Sequence, residues 1–152
     1  MLTMNEKDKN EMLEAILNEN EAYQCKLWAV IMAGADTYAL IGGLSTLTGG
    51  AAAALGALSN AYCYLGVTEQ HLNMVIVNSV NVSKIENRLS LPLSSITKAE
   101  VKGWLLPGRK VVMLHFGKEK MKISLMNNAI GSDIQGQKEN VEMFCQIVSK
   151  LG

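Results

Sequence analysis

The chain alternates between short segments with periodic apolar residues and polar breaks, and two of these segments have a helical period. Within residues 3–19, four apolar side chains share one helical face: Met12, Leu13, Ile16 and Leu17. Within residues 137–151, apolar side chains recur three and four positions apart: Val141, Phe144, Cys145, Val148 and Leu151. These spacings predict an amphipathic helix at each end of the sequence.

Between the helices the apolar residues recur with the two-residue period of strands. The first strand is predicted over residues 22–33, where Gln24 and Lys26 alternate with Cys25 and Leu27. Six more strands are predicted further on: Tyr62–Val67, His71–Asn78, Arg88–Leu93, Ile96–Leu105, Lys110–Phe116 and Lys120–Met126. Short polar turns separate them, as in antiparallel hairpins. We therefore expect an α+β fold, a seven-stranded antiparallel sheet or barrel capped by the C-terminal helix.

The segment between the first two predicted strands is unusually apolar. No charged residue occurs between Asp36 and Glu69, and residues 34–60 are rich in Gly and Ala. If the flanking strands pair, both ends of the segment lie on one side of any membrane, and two crossings would need about 40 residues. We expect a short helical hairpin with arms at 37–47 and 51–60. Its candidate contacts to a second copy or to a membrane are Leu40, Ile41, Leu44, Leu47, Ala53, Leu55 and Leu58.

An exposed apolar hairpin promotes association unless something covers it. Three coverings remain open: the domain's own sheet or N-terminal helix, a second copy of the chain, and shallow insertion into a membrane. The expected organisation is an N-terminal helix over residues 1–20 and a sheet domain over residues 21–152, with residues 34–60 as the insertion.

Charge is distributed unevenly along the chain although the formal net charge is zero. Residues 1–21 contain six acids and two lysines, whereas residues 84–122 contain nine bases and three acids. This split predicts one acidic segment and one basic surface. A neutral total is not typical of nucleic-acid binders, so we expect no nucleic-acid partner.

The basic residues cluster around one loop and one strand. Tryptophan favours the membrane interface, and bases flank a tryptophan-containing loop. The candidate contacts to an anionic lipid or a partner are Lys102, Trp104, Leu105, Arg109, Lys110, Lys118, Lys120 and Lys122. The last three alternate, so an extended strand places them on one face. The alternative is that the loop packs inward and the lysines protect an edge strand.

Catalytic signals are weak. The cysteines Cys25, Cys63 and Cys145 lie in apolar runs without metal-ligand spacing, which indicates buried side chains and a reducing compartment. Of the two histidines, His115 alternates with apolar neighbours and is interpreted as structural. We expect no enzymatic activity, metal or cofactor. The acidic N-terminus predicts a cytoplasmic protein, with peripheral attachment to the inner membrane as an option.

Two segments resemble parts of the bacterial pleckstrin-homology-like (PH-like) and GRAM-like domain family. Tyr64–Ile76 is similar to the family's strand, Thr-x-x-basic-Leu, strand hairpin, with His71 where the family usually has Arg. Leu91–Val101 resembles its strand, polar turn, Ile-Thr, strand segment. The resemblance spans roughly residues 21–151 apart from the insertion. It implies a PH-like fold and a binding or assembly module without catalysis.

Eukaryotic relatives of that family often bind phosphoinositides through bases in the loop between the first two strands. Residues 34–60 contain no Lys or Arg, and phosphate recognition requires cationic donors. This absence argues against phosphoinositide binding. From the strand count, the final helix and the apolar insertion, the leading expectation is a non-enzymatic binding or scaffolding module that forms homo-oligomers, with the inner membrane face as one location. A peripheral anionic-lipid-binding domain and a small enzyme are the alternatives.

Overall fold

A computed structural model describes residues 3–32, 61–78, 80–103, 108–117, 119–127 and 132–151. Within these residues the chain is an α+β fold, a seven-stranded antiparallel sheet with an N-terminal and a C-terminal helix. In chain order the elements are α1 (Glu6–Ala15), β1 (Cys25–Ile31), β2 (Ala61–Val67), β3 (His71–Val77), β4 (Ile85–Pro92), β5 (Lys98–Gly103), β6 (Arg109–Phe116), β7 (Glu119–Met126) and α2 (Gln137–Ser149). The α+β prediction is confirmed at this level.

The first helix is shorter than the predicted range of residues 3–19. Asn5 caps it, because its Oδ1 accepts a hydrogen bond of 2.8 Å from the backbone N–H of Asp8. The helix ends at Ala15. Asn20 then adopts a φ of 67°, in the left-handed region that Asn tolerates, where the chain turns toward β1. Leu17, predicted to be part of the helical stripe, lies beyond the helix.

The strands follow the order β4-β3-β2-β1-β7-β6-β5. β1 and β2 pair along their full length, from Cys25 opposite Val67 to Ile31 opposite Ala61. The pairing of β1 with β7 is limited to Val30–Ser124 and Ile31–Ile123. The sheet is therefore two antiparallel meanders, β1–β4 and β5–β7, joined by a short seam.

The side chain of Gln137, the first residue of α2, fills the gap where β1 and β7 diverge. Its Oε1 accepts a hydrogen bond from the backbone N–H of Trp28 at 3.2 Å. Its Nε2 donates to the carbonyl oxygens of Trp28 and Met126, both at 2.9 Å. Buried backbone groups need partners, and this amide supplies the hydrogen bonds that a neighbouring strand would otherwise make.

The inner core lies between the two meanders and α2. One face of every strand contributes to it, for example Leu65 of β2, Leu91 of β4 and Ile123 of β7. From α2, the residues of the predicted apolar stripe within the helix join it: Val141, Phe144, Cys145 and Val148. The amphipathic helix thus covers the interior, as the three- and four-residue spacing predicted.

A second, outer core lies on the opposite face of β1–β3, beneath α1. Met12 and Leu13 of the helix pack there against Trp28, Tyr64 and Val75. The backbone N–H of Asn5 also donates to the hydroxyl of Tyr64 at 3.0 Å. Helix α1 therefore packs on its own sheet. This explains why β3 is buried on both faces between Leu72 and Val77.

Candidate functional site

The outer surface of β5–β7 brings together basic side chains from three strands. Residues directly opposite one another in antiparallel strands share a face. Because Ala99, Leu114 and Met121 face the inner core, the alternate positions face outward. These outward positions include one acid, Glu100, and a basic set that we call the basic face: Lys98, Lys102, Arg109, Lys120 and Lys122.

Local pairing neutralises only one end of the basic face. Glu100 lies 3.5 Å from the Nζ of Lys98 and 2.9 Å from the Nε2 of His115. The hydrogen bond from His115, and then the charge of Lys98, lower the pKa of Glu100. Arg109 donates from Nε to the hydroxyl of Ser124 at 3.0 Å. Within the described ranges, Lys102, Lys120 and Lys122 form no ion pair, so their charge remains available.

The structure places the sequence-predicted basic residues in two groups. Lys102, Arg109, Lys120 and Lys122 belong to the basic face. Lys110 alternates to the other side of β6, where its charge partly offsets the burial that raises the pKa of the Cys145 thiol. Sequence reasoning missed Lys98, because nothing in its local pattern shows that β5 pairs with β6 in this register. Trp104, Leu105 and Lys118 lie outside the described residues.

The predicted hairpin and its candidate contacts lie outside the described residues: Leu40, Ile41, Leu44, Leu47, Ala53, Leu55 and Leu58. The strands at its two ends are described. Ile31 closes β1, Ala61 opens β2, and the two residues lie directly opposite one another. The intervening segment therefore leaves and re-enters the sheet at the same end.

The thiols are poorly suited to nucleophilic chemistry. All three cysteines are buried, and burial raises the pKa of Cys25 to about 12. Burial also raises the pKa of Cys63 and Cys145, so thiolate is disfavoured at neutral pH. Cys25 faces the inner core, whereas His71 alternates to the opposite face of the sheet from Leu72. The sheet thus separates this thiol from this imidazole.

Sequence reasoning missed a hydrogen-bonded pair of side chains beside the β2–β3 turn. The Nδ1 of His71 lies 2.6 Å from the Oε1 of Glu21, although the two residues are 50 positions apart. The hydroxyl of Thr68 shapes the turn by accepting hydrogen bonds from the backbone N–H groups of Gln70 and His71 at 3.1 and 2.9 Å. This explains the Thr in the Thr-x-x-basic-Leu segment, since that side chain closes the turn.

The described part of the chain has neither a metal-binding cluster nor a membrane-spanning helix. Its His, Cys, Asp and Glu side chains form no group of three or more that could hold a metal ion. Neither of its helices is long and apolar enough to cross a membrane.

The fold and its surfaces define the class of the protein: an α+β domain with a split antiparallel sheet, a covering C-terminal helix and a basic face. Comparison with protein-family models and with curated proteins finds no match to the chain. Among solved structures, it is similar to the hSac2 domain from human phosphoinositide phosphatase Sac2. The TM-score is 0.50 and the identity 11%, over 91% of this chain and 74% of that one. At this identity the likeness concerns the fold alone.

Proposed function

We propose that this chain is a non-enzymatic binding module of the PH-like kind that docks through its basic face on an anionic membrane surface. One observation carries the proposal: the strand register collects five bases and a single acid on the outer surface of β5–β7. The PH-like assignment is supported by the two antiparallel meanders, the covering helix and the Thr68 turn.

Bases spread over the outer face of three strands suit a charged surface better than a single buried ligand. Each base near an anionic bilayer contributes about 1 kcal/mol, and the attraction falls off within a Debye length. The acidic helix α1 packs on a different part of the sheet, against the face of β1–β3 that points away from the inner core. Its charge therefore does not cover the basic face.

The basic face is expected to respond to the negative charge of the membrane surface and not to one particular lipid headgroup. The hSac2 domain comes from a phosphoinositide phosphatase, but that activity is named for the other protein. The segment between the first two strands here has no Lys or Arg between residues 34 and 60. We therefore assign the attraction to the basic face and to anionic lipids in general.

The test is flotation with vesicles that contain phosphatidylserine, compared with neutral vesicles. Lys120→Glu/Lys122→Glu removes two bases from the basic face and should weaken binding at least ~30-fold, at about 1 kcal/mol for each base. The matched control is Lys7→Glu/Lys138→Glu, which makes the same charge change at exposed positions on α1 and α2. Added salt should weaken the wild-type interaction. Equal binding by the two variants, or indifference to salt, contradicts the proposal.

A second candidate function is self-association through the uncharged segment 37–60. It is favoured by the pairing of Ile31 with Ala61, which presents both ends of that segment at one end of the sheet. Light scattering should then give a mass well above 16.5 kDa, and Leu44→Glu/Leu47→Glu should return the protein to a monomer. A wild-type monomer at all concentrations excludes this candidate without affecting the lipid proposal.

A further inference from the structure

A cleft of about 290 Å³ lies beside the β2–β3 turn, away from the basic face. The segment leading into β1 and the turn after β2 form its walls: Asn20, Glu21, Ala22, Tyr23, Gln24, Glu69 and Gln70. The volume is at the lower limit for small-molecule sites. It suits a group the size of one long side chain.

The field inside this cleft is acidic. Glu21 and Glu69 both line it, and no Lys or Arg is among the lining residues. Burial raises the pKa of the Tyr23 hydroxyl, and the charges of Glu14 and Glu21 raise it further. Three carboxylates therefore act on this region, with His71 as the paired imidazole. A cation is attracted here and an anion is repelled.

Glu21 provides an acceptor that the fold leaves without a partner. Its side chain is only 9% exposed, and its Oε1 pairs with His71. Its Oε2 is buried and has no hydrogen-bond partner among the described residues. Burying a carboxylate oxygen without a donor is costly. A cationic N–H donor in the cleft that Glu21 lines would supply the missing bond and charge once the carboxylate turns its Oε2 toward the cleft.

Tyr23 gives the cleft a rigid aromatic wall. Its hydroxyl accepts a hydrogen bond from the Nδ2 of Asn73 at 3.0 Å and donates to the carbonyl oxygen of Leu13. Its ring lies against Gly66, where a Cβ would overlap it. An aromatic ring beside carboxylates favours cations through its negative face, and a fixed ring loses little entropy on binding.

We infer that this cleft binds a cationic group, the ammonium or guanidinium of an amine or a basic side chain, with Glu21 as the anchoring carboxylate. The site differs from the basic face in sign and position, so it does not rest on lipid docking. A free amine and a basic residue of a peptide share this chemistry.

The test uses n-butylammonium and n-propylguanidinium as free cations, and acetyl-Gly-Arg-Gly-amide as the peptide, each titrated into the full chain. Backbone amide shifts of residues 20–24, 69 and 70 report binding. We expect millimolar affinity, because ligands this small make few contacts. N-butylacetamide, a neutral analogue, should leave these shifts unchanged.

Glu21→Gln should weaken binding of the cations at least ~10-fold, since an amide lacks the charge. Glu19→Gln, at an exposed position outside the cleft lining, is the matched control and should bind like the wild type. Glu69→Gln, at an exposed position on the cleft wall, should weaken binding several-fold and keeps the test decisive if Glu21→Gln unfolds.

The outcomes separate the sources of the ligand. Tighter binding of the peptide than of free n-propylguanidinium assigns a basic side chain of a protein. Equal or weaker binding of the peptide assigns a free amine or guanidine. Failure of all three cations to shift these amides overturns the inference, as does equal binding by Glu21→Gln, Glu69→Gln and Glu19→Gln.

Discussion

At the scale of single residues, Gly66 leaves the space that Tyr23 occupies. A Cβ at position 66 would overlap ring carbons of Tyr23. The Tyr23 hydroxyl bonds to Leu13 and Asn73, and the Oδ1 of Asn73 accepts a hydrogen bond from Ser90 at 2.7 Å. One missing side chain therefore permits a polar chain that connects the end of α1 with β3 and β4.

Gly66→Ala should lower the free energy of unfolding by about 1–3 kcal/mol, because the ring of Tyr23 must move and its hydrogen bonds are lost. Urea unfolding measures the change. Gly103→Ala is the matched control, since a Cβ there meets no heavy atom within 4 Å. Its effect should stay within about 0.5 kcal/mol. If Gly66→Ala is equally harmful in a Tyr23→Ala background, the overlap with the ring is not its cause.

Residue-level contacts of this kind could not be predicted from the sequence. Glu21 and His71 are 50 positions apart, and so are Tyr23 and Asn73. Neither pair has a periodic signal, because each depends on how the linker after α1 crosses the β2–β3 turn. The acidic cleft was therefore missed, whereas the alternation of Lys120 and Lys122 with Met121 was enough to predict that the two lysines share a face.

At the scale of elements, α2 both covers the inner core and completes the seam between β1 and β7. The short β1–β7 pairing leaves the backbone of Trp28 without a strand partner on that side. Gln137 satisfies both its N–H and its carbonyl. A polar side chain is thus buried at the start of the helix for a reason that its apolar stripe does not reveal.

Gln137→Leu should lower the free energy of unfolding by about 2–4 kcal/mol, because it leaves the buried N–H and carbonyl groups of Trp28 and the part-buried carbonyl of Met126 unpaired. Gln146→Leu makes the same change at an exposed position of α2 and is the control. Amide hydrogen exchange at Trp28 should accelerate in the first variant alone. Unchanged exchange and stability would show that these hydrogen bonds contribute little.

The sequence pattern predicts which helices and strands are present more accurately than it predicts the residues at which they begin and end. All seven strands were found, because inward and outward residues alternate or run apolar between short turns. The apolar stripe predicts a longer first helix than the structure has, because Ile16 and Leu17 continue the stripe although the helix ends at Ala15. The double burial of β1 and β3 was not visible, because apolar runs do not indicate which layer covers each face.

At the scale of the whole molecule, the neutral total charge separates into two regions of opposite sign. The acidic N-terminal segment predicted from composition packs on the outer face of β1–β3 through α1. Most described bases of the basic segment lie on β5–β7, whereas Lys84 and Arg88 lie at β4, on the opposite edge of the sheet. The pairing that places Lys98 and Lys102 near Lys120 and Lys122 is a property of the sheet order. Composition alone predicts that acids and bases lie in different parts of the chain, but it does not predict which faces of the sheet carry them.

The protein should lose stability steadily as the pH rises above about 9. Burial raises the pKa of Cys25, ordinarily 9.0, to about 12 and that of Tyr64, ordinarily 10.0, to about 12. Between these values the unfolded chain has released protons that the folded chain retains. The unfolded state then binds fewer protons, so the free energy of unfolding falls with pH. Urea unfolding at intervals from pH 8 to 11 measures the slope.

Two tyrosines on β2 allow the contribution of Tyr64 to this slope to be measured separately. Tyr64→Phe removes a buried hydroxyl and should make the decline above pH 10 shallower. Tyr62→Phe removes the hydroxyl of a residue that is 37% exposed on the same strand and is the matched control. Identical slopes in both variants would assign the alkaline loss to groups other than Tyr64.

The direct pairing of Ile31 with Ala61 also has a consequence for loop-closure entropy. The register of β1 and β2 requires only a tight turn between these residues, yet the chain carries about thirty there. Closing a loop of that length costs about 2 kcal/mol more than closing one of about four residues. Exchanging residues 32–60 for an Asn-Gly turn should keep the register of β1 and β2 and remove this entropic cost. The register of Ile31 and Ala61 is thus compatible with a connection far shorter than the one the chain carries.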